Sequence, residues 1–315
     1  MAKSSKSKDG KSGKSGKGGK TAKEPTAPTA VTLADGDRLG PLLRVPQGEV
    51  DLTRFDPRAT PGFAGSKTDA PAAIAALSPE LGELQERLFA AGRAEPERAR
   101  RILLVLQGMD TSGKGGVLRH VIGLMDPQGT SIKAFKAPTE EELQHHFLWR
   151  IERELPQPGM IGIFDRSQYE DVLVARVNQL VPEHVWSARY DEINSWEADL
   201  VTSGTVVIKC FLHLSKDEQK ARLAERLEDP TKYWKYNPGD LDARARWDDY
   251  TTAYTDALHY CNPDTAPWYV IPADRKWYRN WAITRLLIEH LRELDLGWPA
   301  ADFDVAEEQR RLAAS

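Results

Sequence analysis

A chain of 315 residues, 40% hydrophobic and 29% charged, has the composition of a soluble globular protein with room for one large domain or two small ones. No apolar run approaches the roughly 20 residues that cross a bilayer, and Cys210 and Cys261 form neither a disulfide framework nor a metal-ligand spacing. The net charge of −4 is uneven: residues 1 to 24 hold eight lysines against Asp9 and Glu24, so the remainder is strongly acidic, which argues against general nucleic-acid binding.

Residues 1–30 are Lys/Ser/Gly-rich and end in Thr/Ala/Pro. With nothing to bury, they are expected to be disordered. They read as a solubilising tail or, alternatively, an electrostatic arm for a polyanion; like-charge runs are commonly the former. The N-terminus lacks the apolar segment of a secretory leader, so the cytoplasm is the expected compartment.

Residues 31–98 read as an arm and a helix wrapping the core. The proline-rich stretch 41–76 offers Leu42, Leu43, Leu52, Phe55 and Phe63 as anchors. Ser78 then caps a helix with Pro79 at its first position, Leu81, Leu84, Leu88 and Phe89 on one face, and Gly92 at its end.

Residues 99–300 alternate strand and helix. The short apolar run Ile102 to Leu106 predicts a strand buried on both faces. A glycine-rich turn, 108–116, leads into a helical pattern carrying Val117, Leu118, Val121, Ile122 and Leu124. Further strands are expected at Ser131 to Phe135, Met160 to Phe164, Thr205 to Leu214 and Trp268 to Ile271. Between them, helices are expected from Thr139 through Ile151, from Tyr169 to Leu180, from Pro182 to Ser203, from Lys216 to Leu227 and from Leu241 to Leu258. A last long helix runs from Trp277 to Leu294, and 301–315 forms a C-terminal tail. Five strands alternating with helices imply a parallel sheet covered on both faces, an α/β/α sandwich.

Three stretches carry chemistry. In the first, Gly108-x-x-x-x-Gly113-Lys114 fits seven positions of a phosphate-binding loop, between the strand and helix that such a loop requires. Its backbone amides, from Gly108 through Thr111, Ser112, Gly113, Gly115 and Gly116, can face phosphate oxygens, and Lys114 supplies a mobile charge. A glycine turn joining strand to helix would carry the same heptad; the flanking elements favour the phosphate reading. Gly115 stands where Ser or Thr would ligate Mg²⁺, and Asp110 inside the loop is a replacement ligand.

The second stretch is Phe164-Asp165-Arg166-Ser167-Gln168-Tyr169-Glu170-Asp171, an apolar strand ending in Asp, as in a Walker B element. Asp165 can hold Mg²⁺, and Glu170 and Asp171 can reach the same edge, although acidic residues also suit any first helical turn. In the third stretch Arg222 and Arg226 share a helix face, followed by Lys232, Tyr233, Trp234 and Lys235. This reads as a lid, about 215–240, closing over phosphates, or as a solvated helix with Glu–Arg pairs. Lys136 and Arg150 fall at the same edge, as do Asp274, Arg275 and Lys276.

Together with Pro-Ala-Asp-Arg-Lys-Trp-Tyr-Arg-Asn (272–280), these stretches resemble the polyphosphate kinase 2 family from about residue 45 to 298. The resemblance implies a P-loop kinase-like fold with a helical lid, and Mg²⁺-dependent (or Mn²⁺-dependent) transfer of a phosphoryl group between inorganic polyphosphate and AMP, ADP or ATP. It implies Asp110, Asp165 and Asp171 at the metal, Lys114 on phosphate, Arg166 near the nucleotide, Arg222 and Arg226 in the lid, and a homo-oligomer. Tyr169-Glu170-Asp171 resembles the class III subgroup that accepts AMP as well as ADP, with Glu170 orienting the AMP phosphate. Gly115 and His146 depart from that subgroup, which often has Asp at both positions. An ATP-dependent nucleoside monophosphate kinase and a non-catalytic polyphosphate- or nucleotide-binding protein are the alternatives.

Overall fold

The structure, a computed structural model, describes residue 33 and residues 37–315. The expected disorder of 1–30 lies outside the described residues.

Five strands form one parallel sheet: β1 (Arg101–Gln107), β2 (Thr130–Ala134), β3 (Ile161–Asp165), β4 (Thr205–His213) and β5 (Trp268–Pro272). Their order is β2-β3-β1-β4-β5, so β1 is central, pairing Ile102 with Ile161 on one side and with Val206 on the other. All five expected strands form, with ends displaced by a residue or two. The chain leaves β1 for the edge strand β2, returns to β3 beside β1, and then crosses to β4 on the other side of β1; at such a reversal of strand order ligands sit beyond the strands' carboxyl ends.

Alternation of side chains along β1 divides the core. Ile102, Leu104 and Leu106 face a layer with the helices Ala70–Ala94, Lys114–His120 and Lys276–Glu293. Leu103 and Val105 face the other layer, with Glu183–Thr202 and Trp247–Tyr260. Because both faces are covered, β1, β3, β4 and β5 read as mostly apolar runs rather than alternating ones, while the edge strand β2 is half exposed.

The helices depart from expectation where a local signal met a tertiary one. The helix expected to begin at Ser78 begins at Ala70, and Pro79 lies inside it. The alanine-rich run before Ser78 is a strong helix former. Pro79 is exposed, and the buried Leu81 and Leu88 offset its missing hydrogen bond. Gly92 does not end the helix. A Cβ there would lie 2.5 Å from the Cα of Gly159, so this glycine permits two backbones to cross.

The helix expected from Thr139 is broken. Thr139 and Glu142 make a reciprocal capping box, but only the turns Glu142–Gln144 and Trp149–Glu152 form. Leu143, inside the first turn, is 68% exposed, whereas Leu148 and Ile151 of the expected apolar stripe are buried without a continuous helix joining them to it. The segment Tyr169 to Leu180 likewise holds only the turns Gln168–Asp171 and Val174–Val177. Leu241 to Leu258 divides at Arg246 into Gly239–Ala245 and Trp247–Tyr260. The C-terminal segment contains an exposed helix, Val305–Ala313.

Candidate active site

The loop after β1 adopts the backbone its glycines allow. Gly108 and Gly113 have φ of 150° and 106°, and Thr111, a β-branched residue, is held at 66°. A Cβ on Gly108 would press within 2.8 Å of the Leu212 carbonyl on β4. Lys114 is 8% exposed and folds its ammonium back onto the Gly108 carbonyl at 2.8 Å. The hydroxyls of Thr111 and Ser112 are buried without a hydrogen-bond partner, a feature that ordinarily marks a place for a ligand, ion or water.

The loop is gripped by its carbonyls. Arg222 donates to Thr111 O and Ser112 O at 2.9 and 3.2 Å, and to Ala273 O and Asp274 O at 2.7 and 3.0 Å. Its Nε donates to Glu218 at 2.9 Å. Arg222, expected as a lid arginine, lies on the helix Lys216–Glu228 with all its donors engaged, and it is 5% exposed. Within one peptide the carbonyl and amide point in opposite directions, so Arg222 supports the loop from the side opposite its amides. Arg226, one turn on, donates to Lys235 O at 2.8 Å and Asp240 at 3.2 Å. Lys232 pairs with Glu225 and Asp229, and Lys235 lies over the ring of Trp234, itself 79% exposed. Arg226 and Lys232 are thus paired with carboxylates of the lid, Lys235 has an aromatic ring and no carboxylate among the described residues, and Lys136 is exposed past β2.

Across the loop, β3 delivers Asp165 and then Arg166, whose φ of 67° turns the chain sharply. Arg166 reaches Asp110 at 2.7 Å and Glu170 at 3.7 Å. Burial opposes its charge, yet Glu170 and Asp110 together raise its pKa above the usual arginine value. Burial raises the pKa of Glu170, against the opposing pull of Arg166 and Lys114. The segment is held from behind: Lys209 and Glu197, both fully buried, pair at 2.6 Å, and Glu197 accepts from Gln168 at 2.9 Å and from the Tyr169 hydroxyl at 2.7 Å. This network explains why no regular helix begins at Tyr169.

The expected metal trio Asp110, Asp165 and Asp171 is not brought together. Among the described residues no three His, Cys, Asp or Glu side chains are grouped closely enough to hold one ion. Asp171 instead pairs with Arg189 at 3.1 Å and Arg150 at 3.4 Å, which oppose the upward push of burial on its pKa. Asp171 is therefore an ion-pair residue here, and Asp110 and Asp165 are the hard oxygen donors left at the loop edge. They suit Mg²⁺, which commonly takes one or two carboxylates plus substrate phosphates and water rather than an all-protein cage.

A cleft of about 330 Å³ opens beside the loop. Its walls include Asp110, Arg166 and Glu170, and also Asp240, Arg246 and Tyr250. The last three were not singled out from sequence. Arg246 gave no signal, since its place depends on the break between two helices expected to be one. Tyr250 and Tyr254 are four apart on one helix, a spacing that marks a shared face and nothing more.

The model of the family described as Polyphosphate kinase 2 (PPK2) matches residues 66–296. An AMP/ADP-polyphosphate phosphotransferase of Meiothermus ruber is 46% identical over 254 residues, covering 81% of this chain and 93% of that protein. An ADP-polyphosphate phosphotransferase of Rhodopseudomonas palustris is 39% identical over 269 residues, covering 81% and 91%. The crystal structure of polyphosphate kinase 2 from Arthrobacter aurescens superposes with a TM-score of 0.86 at 49% identity, covering 90% of this chain and 99% of that one. A glycine loop, an Asp-Arg segment opposite it and a basic lid, in a chain matched over most of its length, place this protein in the polyphosphate kinase 2 family.

Proposed function

We propose that the chain transfers a terminal phosphoryl group between inorganic polyphosphate and AMP or ADP, with the phosphate chain on the glycine loop and the nucleotide in the adjoining cleft. The observation that carries this arrangement is Arg166. One guanidinium touches Asp110 of the loop and Glu170 of the cleft wall, the place where the two substrates must meet.

An oxygen of the acceptor's terminal phosphate attacks the end phosphorus of the polyphosphate chain. A P–O bond forms there as the bridging P–O bond breaks, and the chain leaves one phosphate shorter. Such transfer requires mainly in-line positioning and neutralised charge. Lys114 swings from the Gly108 carbonyl onto phosphate oxygens, and Arg166 stabilises charge on the group in transit. Glu170, on the cleft wall beside Arg166, orients the AMP phosphate. Asp110 and Asp165 would hold Mg²⁺ or Mn²⁺, which would supply charge neutralisation on the phosphates. A cytoplasmic homo-oligomer completes the proposal; among the described residues no helix is long and apolar enough to cross a membrane.

The test is donor use. Purified protein with Mg²⁺, polyphosphate and AMP or ADP, and no ATP, is expected to yield ADP or ATP. Absence of new nucleotide would sink the reading, and product from ATP plus AMP alone would favour a nucleoside monophosphate kinase.

A further inference from the structure

Behind the phosphate loop lies a cation with no carboxylate. Arg279, on the helix Lys276–Glu293, is 2% exposed. Its guanidinium donates to Ser112 O at 3.1 Å, and to the side-chain oxygen of its neighbour Asn280 at 2.8 and 3.2 Å. Its charged neighbour is of like sign: Arg222 donates to the same Ser112 carbonyl at 3.2 Å. Arg222 has Glu218 as counter-ion. Among the described residues Arg279 forms no ion pair.

The glycines of the loop are shaped to this side chain. A Cβ on Gly113 would lie 1.7 Å from Nη1 of Arg279, and one on Gly116 would lie 2.5 Å from Nη2. Gly115, between them, faces open space. Two of the three glycines flanking Lys114 therefore make room for a guanidinium packed against the loop.

A buried unpaired charge is costly to a fold. Burial, and then the like charge of Arg222, lower the pKa of Arg279 to about 9, which still leaves it charged at neutral pH. A fold that keeps such a group gains if an anion completes it, and the anion position within reach is the loop itself. We propose that Arg279 is a positioning residue of the phosphate site: it holds the loop by the Ser112 carbonyl, and its unpaired charge is compensated when a phosphate chain occupies the opposite side. The proposal rests on the reading of 108–116 as a phosphate site. It adds a residue that strengthens phosphate binding through the loop without touching the ligand.

Thermal melting with and without inorganic tripolyphosphate tests it, together with steady-state kinetics, on the full chain and on Arg279→Met and Arg279→Lys. Tripolyphosphate is expected to raise the wild-type melting temperature. Arg279→Met should lose most of that rise and show a polyphosphate KM roughly tenfold higher, the scale of a coupling that acts without direct contact. Its nucleotide KM should change little. Arg279→Lys, which keeps the charge, should recover at least half of the rise. A full ligand-induced rise in Arg279→Met would overturn the role of Arg279 alone, whereas no rise in the wild-type chain would overturn the phosphate-site reading. Should Arg279→Met fail to fold, Arg279→Lys decides: folded but unresponsive to tripolyphosphate, it overturns the proposal.

Discussion

Asp110 and Arg166 meet at 2.7 Å, joining the phosphate loop after β1 to the segment after β3. Both side chains are about one third exposed, so the pair adds under about 1 kcal/mol to the fold. Its weight lies in placing charge. Arg166→Met is expected to lower kcat by about 100-fold or more, the scale of losing one preorganised donor to developing charge. The melting temperature should move by only a few degrees. A variant with near-native turnover would remove Arg166 from the mechanism.

Lys114 has a resting partner in its own loop, the Gly108 carbonyl. Lys114→Ala leaves that carbonyl one donor short, a cost of about 1 kcal/mol, and removes the loop's mobile charge, which the proposed mechanism places on the phosphates. Transfer should fall by about 1,000-fold or more, with circular dichroism unchanged. Residual activity within tenfold of wild type would contradict the phosphate role.

Glu170 gives a stability signature with a fixed sign. Burial, the largest influence, raises its folded pKa above the unfolded value. In the window between those values the native state binds more protons than the unfolded one, so stability falls as pH rises through it. Glu170→Gln removes that penalty. Relative to wild type, the variant should melt higher at pH 8 and show little of that advantage at pH 4, where the carboxyl is mostly protonated in both states. If Glu170 orients the AMP phosphate, the same variant should lose more activity with AMP than with ADP. Melting curves at the two pH values and parallel assays check both.

Adjacent glycines in one helix separate two causes. Nothing lies within 4 Å of a Cβ on Gly115, whereas a Cβ on Gly116 meets Arg279. Gly115→Ala should stabilise the fold by up to about 1 kcal/mol, the helix-propensity difference. Gly116→Ala should destabilise it by about 1–3 kcal/mol through overpacking. Equal effects in chemical denaturation would mean that Arg279 yields freely.

The central strands β1, β3 and β4 and the strand β5 were legible as short, mostly apolar runs, the pattern a doubly covered parallel sheet imposes, whereas the edge strand β2, Thr130–Ala134, is largely polar. The loop and the Asp165–Asp171 segment were legible because their residues are contiguous. What escaped notice depends on contacts across the chain. The four-residue spacing of Arg222 and Arg226 says they share a face, but not that Arg222 ends on Thr111 and Ser112. Nothing near Lys209 announces Glu197, or that the pair would pull Gln168 and Tyr169 out of a helix. Pro79 read as a helix start because proline favours that position; the alanine run before it carried the helix through.

The position of β1 between β3 and β4 has a consequence for synthesis. As the chain leaves the ribosome, the glycine loop is made early, but β1 has no second neighbour until Thr205–His213 emerges. Arg222 and Arg279, which grip the loop, arrive later still. A nascent chain stopped after β3 holds the phosphate-loop and Asp-Arg motifs but neither arginine. Truncated products would therefore carry the family's most recognisable residues without a formed site to bind with.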